Sequence, residues 1–592
     1  MGELSRNISI QVFSSDDELT AFLCQNAWLD GQNFCKICEK FEFPSCGLTL
    51  VIENYHIDVA YRDIYYHYWA SFHFDWPRYC QRLFLFQHEH APEEFYTDKY
   101  DLNLKDDFLG VIVVRPPYGG ETDHTFGRTL LNPYKMRYVS GDKKKRAGLL
   151  NVKTAEYKFH LLGNTYTVQA FPFSSQDGVV MKCAETAIYN LCDFAATSSA
   201  QYAMVLPSNI QEKLEKRLPE RILPSHGLYC NDMSFLLKEF GFSPMIYANE
   251  KNYDSAEGLC PNQDSRIGTI APSESFNAGE AENSLESELP HATNYKNWFR
   301  YYVESSIPVI AITRPSEDVN KHAALVIGRG MERKSIKSCK LYQLEELWCV
   351  DTTELYDDYI VQDDNQIPYC EEKLDHFTQG KNYKLDAFIV PLDRHVFLDA
   401  PSAVSIFDAI ICQDHHLISR VIGQIKEGYL ALLDDKRRDK DYENLKQQIE
   451  FMVNAMSLSK DNPVAIRYFL TNSAEYKQFR FINSSLREDK VFYSDILMPK
   501  FVWVAEISTY ELYKMGYACA EIVLDATASK RSHVNSIILL RMANSGIMRR
   551  PDEPYRSMGD QIKEDESNKK LSSVFPIYCK SISDEWDAEE YT

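Results

Sequence analysis

FSSQDGVVMKCAETAIYNLCDFAA, residues 173–196, is the stretch on which the reading of this chain turns. After Cys183 the apolar residues fall at Ala184, Ala187, Ile188, Leu191, Phe194 and Ala195, a spacing that predicts a helix with one buried face. The run from Gly178 to Met181 reads as extended chain, so Cys183 sits at or just before the start of that helix. A helix start carries free N–H groups and the positive end of the dipole, and both favour a thiolate. The same N–H groups can hold the oxyanion of a tetrahedral intermediate. Gln176, seven positions upstream, can add a side-chain amide to that hole. The plain alternative is a buried helical cysteine with no chemistry, which is common.

Two further segments bear on the choice. YYVESSIPVIAITRPSEDVNKHAALVIGRG, residues 301–330, contains strand-like runs at Pro308 to Ile312 and Ala323 to Ile327, with a polar turn between them. His322 opens the second run, where a strand can fix its backbone while the imidazole faces a cleft; a surface histidine at a strand edge is the alternative. LWCVDTTELYDD, residues 347–358, predicts another short strand, Leu347 to Val350, ending at Asp351. A carboxylate there can accept the imidazole N–H and stabilise the imidazolium, although aspartate also ends strands as an ordinary turn residue.

The order Gln, helical Cys, strand His, then strand-ending Asp resembles the papain-like cysteine peptidase superfamily. KHAALVIGRG is similar to the histidine strand of that family. IPVIAI before it, the Val350-Asp351 pair after it and HGLYCNDMSFLLKEFGF between Cys and His resemble the branch that processes bacteriocin leader peptides. The resemblance spans about 165–395. It implies an α+β fold in which the helix bearing Cys183 packs on an antiparallel sheet bearing His322 and Asp351. In the family's terms Cys183 is the nucleophile, His322 the base, Asp351 the orienting group and Gln176 the oxyanion residue. The chain departs from the family in having Ala184 and Glu185 after the cysteine and a longer spacing from Gln176, which leaves Asp177 as a rival polar group. Asp357 and Asp358 are rivals to Asp351. The implied activity is hydrolysis of a peptide or isopeptide bond, with no cofactor and no metal. Acyl transfer, deamidation or transglutamination on the same fold, and an inactive papain-like binding protein, are the alternatives. A regulated effector of a bacterial defence or signalling system is a further reading, and it brings an activating or inhibitory protein partner.

Outward from this centre the chain divides. Residues 1–105 form a mixed, aromatic-rich region in which Tyr61, Tyr65, Trp69 and Phe72 have helical spacing; a packed amphipathic helix is the reading, an aromatic ligand surface its alternative. The expected catalytic domain is 106–395, entered through strands at FLGVIVVRPP and TFGRTLL and a hairpin at Gly163-Asn164. It is interrupted at 251–295 by a polar stretch without hydrophobic period. A helical region is expected at 396–497, and a β-containing region with a charged, loosely held tail at 498–592. The Cys35–Cys38 pair with Cys46, His56 and His67 lacks a second clean pair for a zinc site, and His88-Glu89-His90 lacks a third partner.

The 592 residues carry 64 Lys and Arg against 86 Asp and Glu, a net charge of -22 that repels phosphate backbones and anionic lipid. Neither nucleic acid nor a membrane is therefore expected as a partner; a protein or peptide substrate is. Lys143-Lys144-Lys145-Arg146 is the main basic exception and reads as a solvated turn. With no apolar run of membrane-spanning length, no signal pattern and 15 scattered cysteines, the reading is a reduced, cytoplasmic protein.

Overall fold

The computed structural model describes residues 7–72, 76–96, 102–117, 124–140, 143–145, 150–219, 223, 227–248, 295–315, 321–330, 333–344, 346–374, 383–413, 417–434, 442–528, 536–543, 545–548 and 571–579. The chain is α+β, built around three large sheets. The first sheet is a five-stranded antiparallel meander of Ile8–Phe13, Leu48–His56, Cys80–Gln87, Phe108–Val114 and Phe126–Leu131. The division expected at 105 falls inside it, because the Phe108–Val114 strand pairs directly with Cys80–Gln87. Tyr61, Tyr65 and Trp69 are buried along a short helix, Val59–Ile64, that continues as a π-helical turn, Tyr65–Trp69. Those three rings are core, while Tyr55 and Tyr66 of the same stretch are exposed and the Phe72 side chain lies outside what is described. The expected hairpin forms between Ala155–Leu161 and Asn164–Ala170, with Leu162 and Gly163 both at positive φ, 48° and 82°. Lys143–Lys145 pairs with Tyr138–Ser140, and Arg146 lies outside the described residues. So does most of the polar stretch at 251–295.

The central sheet decides where the chemistry sits. Its strands are antiparallel in the order Phe242–Ala248, Tyr383–Asp393, Val309–Pro315, His322–Gly330, Asp358–Gln362, Cys370–Lys373. Both faces are buried, which is why its strands read as continuous apolar runs rather than alternating ones. Ala323, Leu325 and Ile327 join a core with Ala187, Ile188 and Leu191 of the Cys183 helix, Cys183–Ser198. Ala324 and Val326 join a second core with Phe299 and Phe407. Successive residues of one strand thus serve two cores. Gly328 has a separate reason: a Cβ there would collide with the Asn151 carbonyl of the Leu150–Val152 strand, which pairs with the far end of His322–Gly330.

The third sheet runs Tyr342–Leu344, Leu347–Asp351, Val464–Asn472, Phe501–Thr509, Ala520–Asp525, Ile537–Met542, Ser545–Met548. It takes two strands from inside the region expected to be catalytic, and the division expected at 498 runs through it. The helices Ala400–Gln413, Leu417–Asp434 and Tyr442–Ala455 occupy the first part of the region expected to be helical, 396–497, but Val464–Asn472 within it is a strand of the third sheet. The tail is held over part of its length. Phe575–Pro576 pairs with Tyr517–Ala518, and Tyr578 is buried with its N–H donated to Glu506 at 2.8 Å. Residues 580–592 lie outside the described residues.

A chain of buried ion pairs runs from the central sheet into the third: Arg329–Glu304–Arg467–Glu506–Arg480–Glu521, with Arg541–Asp489 beside it. Asp408, on the Ala400–Gln413 helix, is a buried acid of another kind. One oxygen accepts from Tyr468 at 3.0 Å and the other has no hydrogen-bond partner. Burial, aided by the charge of Asp351, pushes its carboxyl up to about 7 against the Tyr468 bond. A raised folded value means stability fully present below the unfolded value near 4 and lost as pH rises through about 7. Asp408→Asn is therefore expected to raise the free energy of unfolding at pH 8, by up to about 4 kcal/mol, with the difference gone near pH 4; denaturant melts at the two pH values check this.

Candidate active site

The loop before Cys183 is shaped by Asp177. Its Oδ1 accepts from the N–H groups of Val179, Val180 and Met181 at 2.9, 2.7 and 2.9 Å, a closed backbone nest. Gln211 fastens the same loop by donating to the Val180 carbonyl at 2.7 Å. The helix then starts at Cys183, and Lys182 before it makes no side-chain capping bond. Acceptors for the first-turn N–H groups must come from elsewhere, so this end is suited to a developing anion. Cys183 is half-buried.

His322 is set by strand register. It pairs with Thr313 on one side of its strand, while Leu325 pairs with Gln362 on the other. The chain leaving Asp358–Gln362 must then pass the imidazole, and the residue that follows is Asp363. His322 Nε2 lies 2.8 Å from Asp363 Oδ1. With Nε2 committed, Nδ1 is the ring nitrogen left for the thiol, and the Cys183 side chain hydrogen-bonds His322. Asp363 is itself held by the Asn365 N–H at 3.1 Å and by Gln366 Nε2 at 2.9 Å. The side chain of His322 is 13% exposed and that of Asp363 2%, so the pair is shielded from water while the ring still meets the surface.

Burial alone would lower the imidazole's affinity for its proton. The Asp363 charge and hydrogen bond, the Cys183 bond and then Asp364 outweigh it, and the ring is held well above its usual range. Burial likewise works against the Asp363 carboxylate, yet His322 holds it below the usual range. The next residue differs. Burial and the neighbouring Asp363 charge push the Asp364 carboxyl up to about 7, against the pull of His322.

The predicted residues are thus brought together only in part. Cys183 and His322 meet. Asp351 does not join them: it is fully buried, accepts from the Tyr301 hydroxyl at 2.5 Å and from the Thr353 N–H and hydroxyl at 2.9 and 2.7 Å. The reason is pairing, since its strand runs beside Tyr342–Leu344 and Val464–Asn472 in the third sheet, not beside the histidine strand. Asp357 pairs with Lys334. Asp358 begins a strand whose next residue, Tyr359, pairs with Arg329, at the far end of the histidine strand. Asp363 takes the place expected of all three. The signal for it was present in Tyr359-Ile360-Val361-Gln362-Asp363, a second β-branched run ending in aspartate.

Gln176 is half-buried, and its Nε2 donates to Asn365 Oδ1 at 2.5 Å, next to Asp363 in the chain. Asp177 Oδ1 is committed to the backbone nest, and its Oδ2 is buried without a hydrogen-bond partner. The first sheet positions this arm: Phe173 exchanges backbone bonds with Thr129 at 2.8 and 3.0 Å, Ser175 N–H donates to Phe126 at 3.0 Å, and Arg115 donates to the Ser175 carbonyl at 2.9 Å. The last two strands of the first sheet and the chain around them thereby hold a residue of the site.

The other candidates scatter. Cys35 and Cys38 lie on the helix Gly31–Lys40, where burial pushes both thiols up, while His56 pairs with Glu53 and His67 with Asp63. His90 is spent between Glu94 and Asp107, at 3.1 and 3.0 Å. Among the described residues, the cluster with metal-ligand spacing is His322, Asp363 and Asp364. No described helix is long and apolar enough to cross a membrane. Comparison of the chain with protein-family models, curated proteins and solved structures returns no match.

Proposed function

We propose that this chain is a papain-like thiol hydrolase whose triad is Cys183, His322 and Asp363. One observation carries the reading: an imidazole held 2.8 Å from a buried carboxylate through Nε2 and hydrogen-bonded to a cysteine at the start of a 16-residue helix. A structural histidine needs one of these partners, and a nucleophile–base–orienter set needs both. The Cys183 thiolate attacks a carbonyl carbon and forms the tetrahedral adduct. Its oxyanion is met by N–H groups at the helix start and by the Gln176 amide once that amide exchanges Asn365 for the substrate. His322 gives its proton to the leaving amine and the C–N bond breaks, leaving a thioester on Cys183. Neutral His322 then takes a proton from water, the hydroxide attacks the thioester, and the acid leaves as the thiol group is regenerated. Throughout, Asp363 keeps the ring oriented and stabilises its charged form.

The net charge of -22 favours basic peptides as substrates through long-range attraction and disfavours acidic ones, leaving neutral peptides unaffected. The test is incubation of the full chain with a peptide library followed by mass analysis. Hydrolysis gives fragments whose masses sum to that of the substrate plus one water, and Cys183→Ala gives none. Amine adducts would make the chain an acyltransferase, and conversion of glutamine to glutamate without cleavage a deamidase. Cleavage unchanged in Cys183→Ala would end the proposal.

A further inference from the structure

Asp364 has no part in the triad, and its place is hard to account for as packing. It is 4% exposed, and neither carboxylate oxygen has a hydrogen-bond partner. A buried carboxylate in that condition is costly. One of these oxygens lies 3.7 Å from His322 Nε2, whose other carboxylate neighbour, Asp363 Oδ1, is at 2.8 Å. All three donor atoms lie within 4.8 Å of one another. An ion held tetrahedrally by bonds of about 2.0–2.1 Å separates neighbouring ligands by about 3.3 Å, between the two spacings observed.

We infer that His322 Nε2, Asp363 and Asp364 bind a divalent transition cation of the zinc type, and that its binding switches the thiol site off. The switching half of this inference rests on the hydrolase reading above; the binding half does not. Charge favours the site, because two carboxylates and one neutral imidazole bring the dication to net zero. The buried Asp364 then gains the partner it lacks. The bonds that Asn365 and Gln366 donate to Asp363, at 3.1 and 2.9 Å, fix the orientation of that ligand, as outer-shell groups do in metal sites.

The exchange balances simply. The cation takes the Nε2 lone pair, and the Nε2 proton leaves to solvent. The ring's one remaining proton then resides on Nδ1, facing Cys183. A ring so occupied has no free lone pair: it can neither accept a proton from the thiol nor activate water for the thioester.

The test uses the full chain stripped with chelator and titrated with Co2+. Cobalt's visible ligand-field bands report nitrogen and oxygen ligands, and its near-ultraviolet sulfur charge-transfer band reports capture by cysteine. The expected result is one Co2+ per chain, no sulfur band, and an affinity at least about tenfold weaker in Asp364→Asn. That substitution keeps the side chain's shape; should it fail to fold by thermal melt, His322→Gln removes another ligand and gives the same readout. In parallel, electrophile labelling of Cys183 should slow at least about tenfold on addition of Zn2+ to wild type, relative to its metal-free rate, and much less in Asp364→Asn. Equal Co2+ affinity in wild type and variant, a sulfur band, or no bound Co2+ would overturn the site. Cys183 that is reactive in metal-free protein, with no Asp364-dependent cobalt binding, would sink the cation site and leave the hydrolase standing. Asp364-dependent cobalt binding with an unreactive Cys183 would sustain the cation site and remove the hydrolase.

Discussion

On the proposed triad, Asp363→Asn is expected to lower hydrolysis by about 10²–10⁴-fold, while Asp351→Asn is expected to leave it within about twofold of wild type. The two aspartates end strands of the same chain, and the contrast between them separates the site from its surroundings. Asparagine at 363 keeps the shape and one acceptor. It removes the charge that holds the imidazolium, and it can present N–H₂ to Nε2 in place of an acceptor. Burial, which lowers the affinity of His322 for its proton, then acts with less opposition, so the loss of the imidazolium moves to lower pH. The sign follows from the raised value in wild type. His322 contributes stability fully present below its unfolded value near 6.5 and lost as pH rises through its raised folded value, whereas Asp363 contributes stability present above its unfolded value near 3.9 and lost as pH falls through its lowered one. Asp351→Asn instead weakens acceptance from Tyr301 and Thr353 inside the third sheet. Its effect belongs in a melting curve. Rates with a peptide substrate across pH, for both variants, check the contrast.

Glu304→Gln destabilises the protein by about 3–5 kcal/mol, the cost of leaving buried cations without their carboxylate. Glu304 is shared. One oxygen meets Arg329 Nε and the other Arg467 Nε, each at 2.6 Å, and all three side chains are almost fully buried. The amide keeps the volume and cannot neutralise either guanidinium. Burial opposes ionisation of Glu304, but the two arginines outweigh it and hold the carboxyl at about 2. A depressed value means stability present above the unfolded glutamate value near 4.3 and lost as pH falls toward 2. The gap between wild type and variant should therefore be full at pH 7 and shrink through that acid window. A chain of this size need not unfold in one step. The informative readout is the denaturant midpoint reported by hydrogen exchange in the Val464–Asn472 and Phe501–Thr509 strands. Arg329 is on the histidine strand, so the same network ties the site's sheet to the third sheet.

What could be read in the sequence was local. The stripe from Ala184 to Ala195 specified the helix and put Cys183 at its start. The run from Ala323 to Ile327, closed by Gly328, specified the strand and put His322 at its mouth. Asp363 was not found, because Val350-Asp351 and Gln362-Asp363 look alike over any short window. What separates them is pairing: Cys349 lies beside Val464, more than a hundred positions away, whereas Gln362 lies beside Leu325. The divisions at 105 and 498 fall within sheets for the same reason, since a sheet assembled from distant segments leaves no composition change at its edge. The buried ion chain was equally hidden; Arg467, Glu506 and Glu521 look like surface charges until their strands are paired, and Glu304 does until its helix packs against them.

The most direct test of the Cys183–His322 pair is the rate of electrophile labelling at neutral pH, mapped residue by residue, in wild type and His322→Ala. The chain's 15 cysteines supply their own standard, and the exposed Cys24 serves as an ordinary accessible thiol. An unassisted thiol is only a few per cent thiolate at neutral pH, so a cysteine ionised by its partner can gain about 10–30-fold. Half-buried Cys183 is expected to outpace exposed Cys24 and to lose about tenfold or more of its rate in His322→Ala. A Cys183 that labels no faster than Cys24, at a rate indifferent to His322, would contradict the proposed pair.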